Sequence, residues 1–203
     1  MTEDDARSWI STRYGEEAAT RLAMFGRMVA DENASQNLIA PSTIGSMWSR
    51  HLLDSAQLVA LAPKTVGTWI DVGTGAGFPG VVAAVLLPLT KLTLVEPRRR
   101  RVEFLTQAAE DLALDNVTIM QAKVERVVAT PADVISARAV ASSEMLIDLT
   151  THLRTKSTRY ILPRGRSGHD EVERLRRRWQ GLFHVEQSLT DPDSTIIIGS
   201  GIA

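Results

Sequence analysis

Trp69-Ile70-Asp71-Val72-Gly73-Thr74-Gly75-Ala76-Gly77-Phe78-Pro79-Gly80 is an apolar run that breaks into alternating glycines and then resumes as an apolar helical pattern from Val81. Strand, glycine turn and helix in that order make a nucleotide-binding unit, because glycine tolerates positive φ and lets the backbone approach a ligand closely. Two glycine frames fit. Gly75, Gly77 and Gly80 satisfy the G-x-G-x-x-G pattern of dinucleotide sites, whereas Asp71, Gly73, Gly75 and Gly77 satisfy the D-x-G-x-G-x-G form of S-adenosylmethionine sites. Charge and donors favour the second. The Asp71 carboxylate repels a pyrophosphate but suits S-adenosylmethionine through an amino or water-mediated contact. Pro79 removes an N–H from the first helical turn, where a pyrophosphate needs donors. Glu96, at the end of Leu92-Thr93-Leu94-Val95 and roughly 20 residues beyond the loop, is placed to meet ribose hydroxyls, a role common to both cofactors.

Outward from the loop, short β-rich runs recur: 68–72, 91–95, 117–120, 133–136, 159–162, 183–187 and 195–198. Helical patterns separate the first six, which predicts βαβ units in a parallel sheet. Only Ser188 to Ser194, with Asp191-Pro192-Asp193, joins the last two runs. That link is too short for a crossover, so the final strand is expected to be antiparallel. The expected fold is α/β, a Rossmann-like, mostly parallel seven-stranded sheet. Before it, residues 1–63 read as a helical extension, with Leu22, Phe25, Met28 and Val29 at helical spacing, a loop from Asn33 to Thr43 and a helix from Ile44 to Leu61 closed by Pro63. Residues 64–203 then form the cofactor-binding domain.

Composition narrows the chemistry. Hydrophobic residues at 44% and charged residues at 23% fit a globular chain of one domain with an extension and exclude a disordered one. The 23 Lys+Arg against 24 Asp+Glu give a net charge of −1, so a polyanionic partner needs a local basic patch. Candidates are Arg98 to Arg101 and Arg174, Arg176, Arg177 and Arg178, although helical spacing makes a solvated face the default for each. There is no cysteine, which removes thiolate metal sites and thiol nucleophiles. The longest apolar stretch, Val81 to Leu89, holds Pro88 and is far short of the ~20 residues that span a bilayer. With an acidic start at Glu3, Asp4 and Asp5, the expectation is a cytoplasmic protein with no membrane segment.

Asn37-Leu38-Ile39, Arg50-His51-Leu52-Leu53-Asp54-Ser55, the loop 70–80 and Ser136-Ala137-Arg138-Ala139 resemble, in order and spacing, the bacterial RsmG (GidB) family from about Asn37 to Arg164. Arg164-Gly165 stands where that family commonly has Lys-Gly. The resemblance implies methyl transfer from S-adenosyl-L-methionine to N7 of a guanine in small-subunit (16S) ribosomal RNA, as RNA or as a subunit particle; a monomer without metal is expected. It also implies cofactor contacts at Gly73, Phe78, Val124, Glu125 and Arg138, beside the loop residues Asp71, Gly75 and Gly77 and the ribose acid Glu96. Arg138 is the candidate catalytic residue, expected at a strand's carboxyl end, able to donate to the guanine or to the methionine carboxylate. Guanine N7 carries an unprotonated lone pair, so no general base is needed and orientation dominates. His51 and Asp54, one helical turn apart, are able to share a hydrogen bond, either locking the extension to the sheet or touching substrate. Trp48, Trp69 and Trp179 read as core. A small-molecule methyltransferase, a nicotinamide-dependent oxidoreductase using the other glycine frame, and a noncatalytic binding module are the alternatives.

Overall fold

The computed structural model describes residues 1–202. Seven strands form one sheet: β1 Thr68–Val72, β2 Lys91–Val95, β3 Val117–Met120, β4 Val134–Ser136, β5 Arg159–Arg164, β6 Leu182–Gln187 and β7 Thr195–Ser200, in the order β3-β2-β1-β4-β5-β7-β6. β1 to β5 are parallel, and β7 lies antiparallel between β5 and β6. The expected late hairpin is therefore present, and its return strand inserts beside β5.

Strict alternation sends successive side chains to opposite faces, and each face has its own core. Trp69, Leu92, Leu94, Val134, Ile161, Ile196 and Ile198 face one side. They pack there with α1 Glu3–Tyr14, α2 Glu16–Glu32, α3 Asp54–Ala60, α4 Gly80–Leu86 and α5 Arg99–Asp111. Ile70, Val72, Ile135, Leu162 and Ile197 face the other side, against α6 Ser143–Leu149 and α7 Gly168–Arg178. The N-terminal helices thus share a continuous core with one face of the sheet.

Two local expectations change. Between β3 and β4 there is no α-helix but a 3-10 turn, Val124–Arg126, and then irregular chain. Val127, Val128, Thr130 and Pro131 explain this, since β-branched residues and proline disfavour a helix interior. The helix expected from Ile44 to Leu61 is instead three pieces of changing pitch: a 3-10 helix Pro41–Ser46, a π-helix Trp48–Leu53 and α3. Glu3 reaches from α1 to accept the Trp48 N–H at 2.8 Å and the Ser49 N–H and hydroxyl at 2.9 and 2.6 Å. These donors are satisfied from outside, which lets the turn widen at the residues that carry His51. Among the described residues no helix is long and apolar enough to cross a membrane.

Candidate active site

The strand order reverses between β1 and β4, and open α/β sheets bind ligands at the carboxyl end of such a switch point. Asp71 and Ser136 are register partners there. Asp71 is completely buried; its Oδ1 accepts the Ser136 hydroxyl at 2.6 Å and its Oδ2 accepts the Gly80 N–H at 2.9 Å. Ser136 Oγ also accepts the Trp69 indole N–H at 2.8 Å, so a polar relay closes inside an apolar face. Burial raises the Asp71 pKa to about 6, against the lowering effect of the bonds from Ser136 and Gly80. Both Asp71 oxygens, expected to meet S-adenosylmethionine through an amino or water-mediated contact, accept protein donors in this arrangement. A fully buried carboxylate ties the strand end to the start of α4 and so shapes the loop between them.

Within that loop Gly73, Gly75 and Gly77 have φ of 64°, 61° and 96°. The Gly73 and Thr74 N–H groups donate to the Val95 carbonyl at 2.8 and 3.2 Å, pinning the loop to the end of β2. Just beyond, Glu96 is buried and spans two backbones, accepting the Gly75 N–H at 3.0 Å and the Arg98 N–H at 2.9 Å. A carboxylate has about four lone-pair sites, so Glu96 keeps acceptor capacity. A Cβ at Gly75 would meet the Arg101 guanidinium at 3.4 Å and the Gly73 carbonyl at 3.8 Å, and one at Gly73 would run into Val140 at 2.5 Å. The result is a side-chain-free cradle bounded by Glu96 and the segment after β4, which fits a flat, sugar-bearing ligand.

The Phe78 ring is buried under three neighbours: Phe25 at 5.2 Å, the stacked His51 ring at 5.1 Å and the Arg138 guanidinium at 5.2 Å from its centroid. The His51 and Asp54 side chains do not bond to each other, although their spacing allows it; only the Asp54 backbone N–H donates to the His51 carbonyl. His51 Nε2 pairs with the Thr43 hydroxyl at 2.8 Å. Burial first, then the charges of Arg138 and Arg50, lowers its pKa to about 4, so the ring is neutral at pH 7. Asp54 Oδ2 lies 3.3 Å from Arg138 Nη1, while its Oδ1 accepts from Gln57 Nε2 and Thr190 Oγ1, both at 2.9 Å. Both members of the pair thus tie the helical extension to the sheet, by stacking and by charge. Beside Arg138 opens a cavity of about 270 Å³, lined by Asp54, Arg138, Pro163, Gly165, Ser188 and Thr195 among others.

Arg164 also lines this cavity, but its guanidinium is engaged by protein partners. Its Nε bonds Ser143 Oγ and Glu171 Oε2, both at 3.1 Å, and its Nη2 bonds the Ala141 carbonyl at 3.1 Å. It fastens α6, α7 and the loop bearing Arg138 to the end of β5. Val124 and Glu125 lie in the 3-10 turn past β3; Val124 is buried, and Glu125 is exposed and makes no side-chain hydrogen bond among the described residues. Val124 shares a core with Val72, which leads into the glycine loop, and with Val95, whose carbonyl pins it. Gln57 and Thr190 were not legible as site residues, because the bonds that place them there, Leu189 N–H to Gln57 and Thr190 to Asp54, cross more than half the chain and leave no local pattern. The basic clusters differ. Arg174, Arg176 and Arg178 pair with Glu144, Glu173 and Asp148, the solvated face expected by default. Arg98 to Arg101 instead line a cavity of about 400 Å³ with Gln36 and Asn37, where Arg100 and Arg101 donate to the Ser35 and Asn37 carbonyls. Trp69 is fully buried, while Trp48 and Trp179 are half-buried against the two cores, with Arg178 lying 4.4 Å from the Trp179 centroid.

Residues 18–194 match the family described as rRNA small subunit methyltransferase G (GidB). A ribosomal RNA small subunit methyltransferase G from Sphingopyxis alaskensis is 47% identical over 202 residues, covering 98% of this chain and 86% of that protein. Another from Rhizorhabdus wittichii is 45% identical over 204 residues, covering 100% and 94%. Among solved structures, a SAM-dependent methyltransferase from Aquifex aeolicus matches with a TM-score of 0.62 at 13% identity, over 81% of this chain and 95% of that one. A methyltransferase from Geobacter sulfurreducens matches with a TM-score of 0.60 at 13% identity, over 85% of each. At such identity the likeness is one of fold: the class I, Rossmann-like sheet.

Proposed function

The chain belongs to the rRNA small subunit methyltransferase G (GidB) family, and from that membership we propose that it methylates N7 of a guanine in small-subunit (16S) ribosomal RNA, with S-adenosylmethionine as donor. The observation that carries the donor reading is the cradle at the switch point: three left-handed glycines, a buried Asp71 bracing the loop, and Glu96 facing its outer side. Such a surface offers backbone, an acceptor for ribose hydroxyls and no cluster of donors for a pyrophosphate.

S-adenosylmethionine supplies a methyl group already activated on a sulfonium. The loop backbone at Gly73, Gly75, Gly77 and Phe78 holds it, with Glu96 at the ribose and Val124 and Glu125 bordering the base. Arg138 lies over the Phe78 ring of the loop and lines the adjoining cavity, and it acts by placing carboxylate or base. Because N7 enters with its lone pair free, the chain needs no proton acceptor, and the neutral, buried His51 is consistent with that. Residues 1–63 serve as a helical extension that braces the methyltransferase domain 64–203. With a net charge of −1, recognition rests on the shape of an assembled particle and a local patch such as Arg98 to Arg101 more than on bulk attraction. The protein works as a cytoplasmic monomer.

Mass mapping of ribosomal RNA from cells lacking the gene tests the reading. One 7-methylguanine of the small-subunit RNA should vanish and return on complementation; an unchanged set would overturn the proposal. Calorimetry should show binding of S-adenosylmethionine and none of NAD.

A further inference from the structure

Asp54 and Arg138 form a partly exposed ion pair on the wall of the 270 Å³ cavity, with side-chain exposures of 20% and 24%. The cavity is slightly below the roughly 300 Å³ at which ligand pockets begin, so it suits a single base and not a nucleotide. Acceptors and donors on its wall are counted readily. Asp54 Oδ1 is filled by Gln57 and Thr190, whereas Oδ2 accepts only from Arg138 and keeps one lone-pair site. The remaining N–H groups of Arg138 have no partner among the described residues. The ion pair therefore presents one acceptor beside one set of donors on this wall, and contacts run in the order Asp54, Arg138, then Phe78 of the glycine loop.

Guanine carries the complementary series along one edge: the N1–H donor, the O6 acceptor, then N7. Building on the function proposed above, we infer that this cavity is the seat of the extruded guanine, read by Asp54 at N1–H and by Arg138 at O6, with N7 directed to the glycine loop. Adenine reverses the first two positions, setting an N–H against Arg138 and a lone pair against Asp54, so the same pair rejects it. The exocyclic amine of guanine is left unread, because Asp54 Oδ1 has no capacity for it. Extruding a base costs stacking energy, and a pocket that satisfies its polar edge offsets that cost. The β6–β7 loop matters here because Thr190 and the Leu189 N–H hold Asp54 and Gln57 in place.

Small subunits reconstituted with guanosine, inosine or 2-aminopurine nucleoside at the target position test the assignment, with the unaltered protein and methyl incorporation as readout. Inosine keeps N1–H and O6 and should be methylated within a few-fold of guanosine. 2-Aminopurine keeps N7 and the amine but lacks N1–H and O6, and should lose about 10- to 100-fold in kcat/KM, the discrimination of a good paired contact. Asp54→Ala should lower guanosine turnover by a similar factor, leave the S-adenosylmethionine affinity unchanged and narrow the gap between guanosine and 2-aminopurine. Equal rates on guanosine and 2-aminopurine, or an inosine defect as large as that of 2-aminopurine, would overturn the inference. Failure of the guanosine particle itself would instead count against the proposed function.

Discussion

The Asp71 carboxylate reaches back across the loop that follows it and accepts the Gly80 N–H at 2.9 Å, so the first and last residues of the glycine segment are bonded to each other. Gly80 has no room to change. A Cβ there would collide with the Leu94 side chain and lie 2.8 Å from Asp71 Oδ2 and 2.9 Å from Thr74 Oγ1. Gly80→Ala is expected to cost about 1–3 kcal/mol by overpacking and to weaken S-adenosylmethionine binding. Gly165→Ala, where a Cβ meets nothing within 4 Å, is the control. Equal melting temperatures for the two variants would contradict the assigned packing.

The raised pKa of Asp71, about 6 against 3.8, gives a signature in pH. Between about pH 4 and 6 the folded state keeps a proton that the unfolded chain has released. The contribution of Asp71 to stability therefore falls as pH rises through that window, by roughly 3 kcal/mol at most. Asp71→Asn does not titrate, so its stability relative to the parent should improve from pH 4 to pH 7 in urea unfolding. A gap constant over that range would refute the buried ionisation.

His51 is predicted to stay neutral. With its pKa lowered to about 4, the unfolded chain takes up a proton below about pH 6.5 that the folded chain refuses. Stability tied to this group is lost as pH falls from 6.5 toward 4. In an NMR titration of the four histidines, one ring should show no protonation above about pH 5. Four ordinary titrations would place His51 in water.

Arg164 and Glu171 are a buried pair, with side-chain exposures of 8% and 9%. Glu171→Gln leaves the guanidinium without a counter-charge and should cost about 3–5 kcal/mol in denaturant unfolding. Arg164→Lys retains the charge but loses the fork that reaches Ser143, Glu171 and Ala141 together, so both stability and turnover should drop. Replacing the pair by Met and Leu should recover much of the stability without the activity, since the Ala141 carbonyl stays unanchored. Full activity in that double variant would argue against a role in holding the Arg138 loop.

Gly73→Asp combines a left-handed backbone, φ 64°, with a Cβ placed against Val140. S-adenosylmethionine affinity should fall by at least about 10-fold in calorimetry, through backbone strain of about 1–3 kcal/mol and loss of the cradle. Retained affinity would move the cofactor elsewhere.

Strand positions, the glycine loop and the closing hairpin were all legible in the chain, because each is written in neighbouring residues: apolar runs for buried strands, glycines where φ turns positive, Asp191-Pro192-Asp193 where a crossover cannot fit. The position of Arg138 at a strand's carboxyl end was legible for the same reason. Pitch was less so: apolar spacing from Ile44 to Leu61 does not distinguish an α-helix from the 3-10, π and α pieces that form, since Glu3 decides it from a different helix. The place of Asp71 at the end of β1 was legible from the loop motif, but not the direction of its carboxylate, which packing turns onto Ser136 and Gly80.

By itself, then, the sequence determined that this chain is a Rossmann-like sheet with a cofactor loop at Asp71 to Gly80, since periodicity and glycine placement act within a few residues. Only the tertiary structure decided that Asp54 meets Arg138 across 84 residues and Thr190 across 136. Hydrogen bonds and ion pairs form wherever packing of the two cores brings their atoms together, and no local pattern along the chain records that meeting.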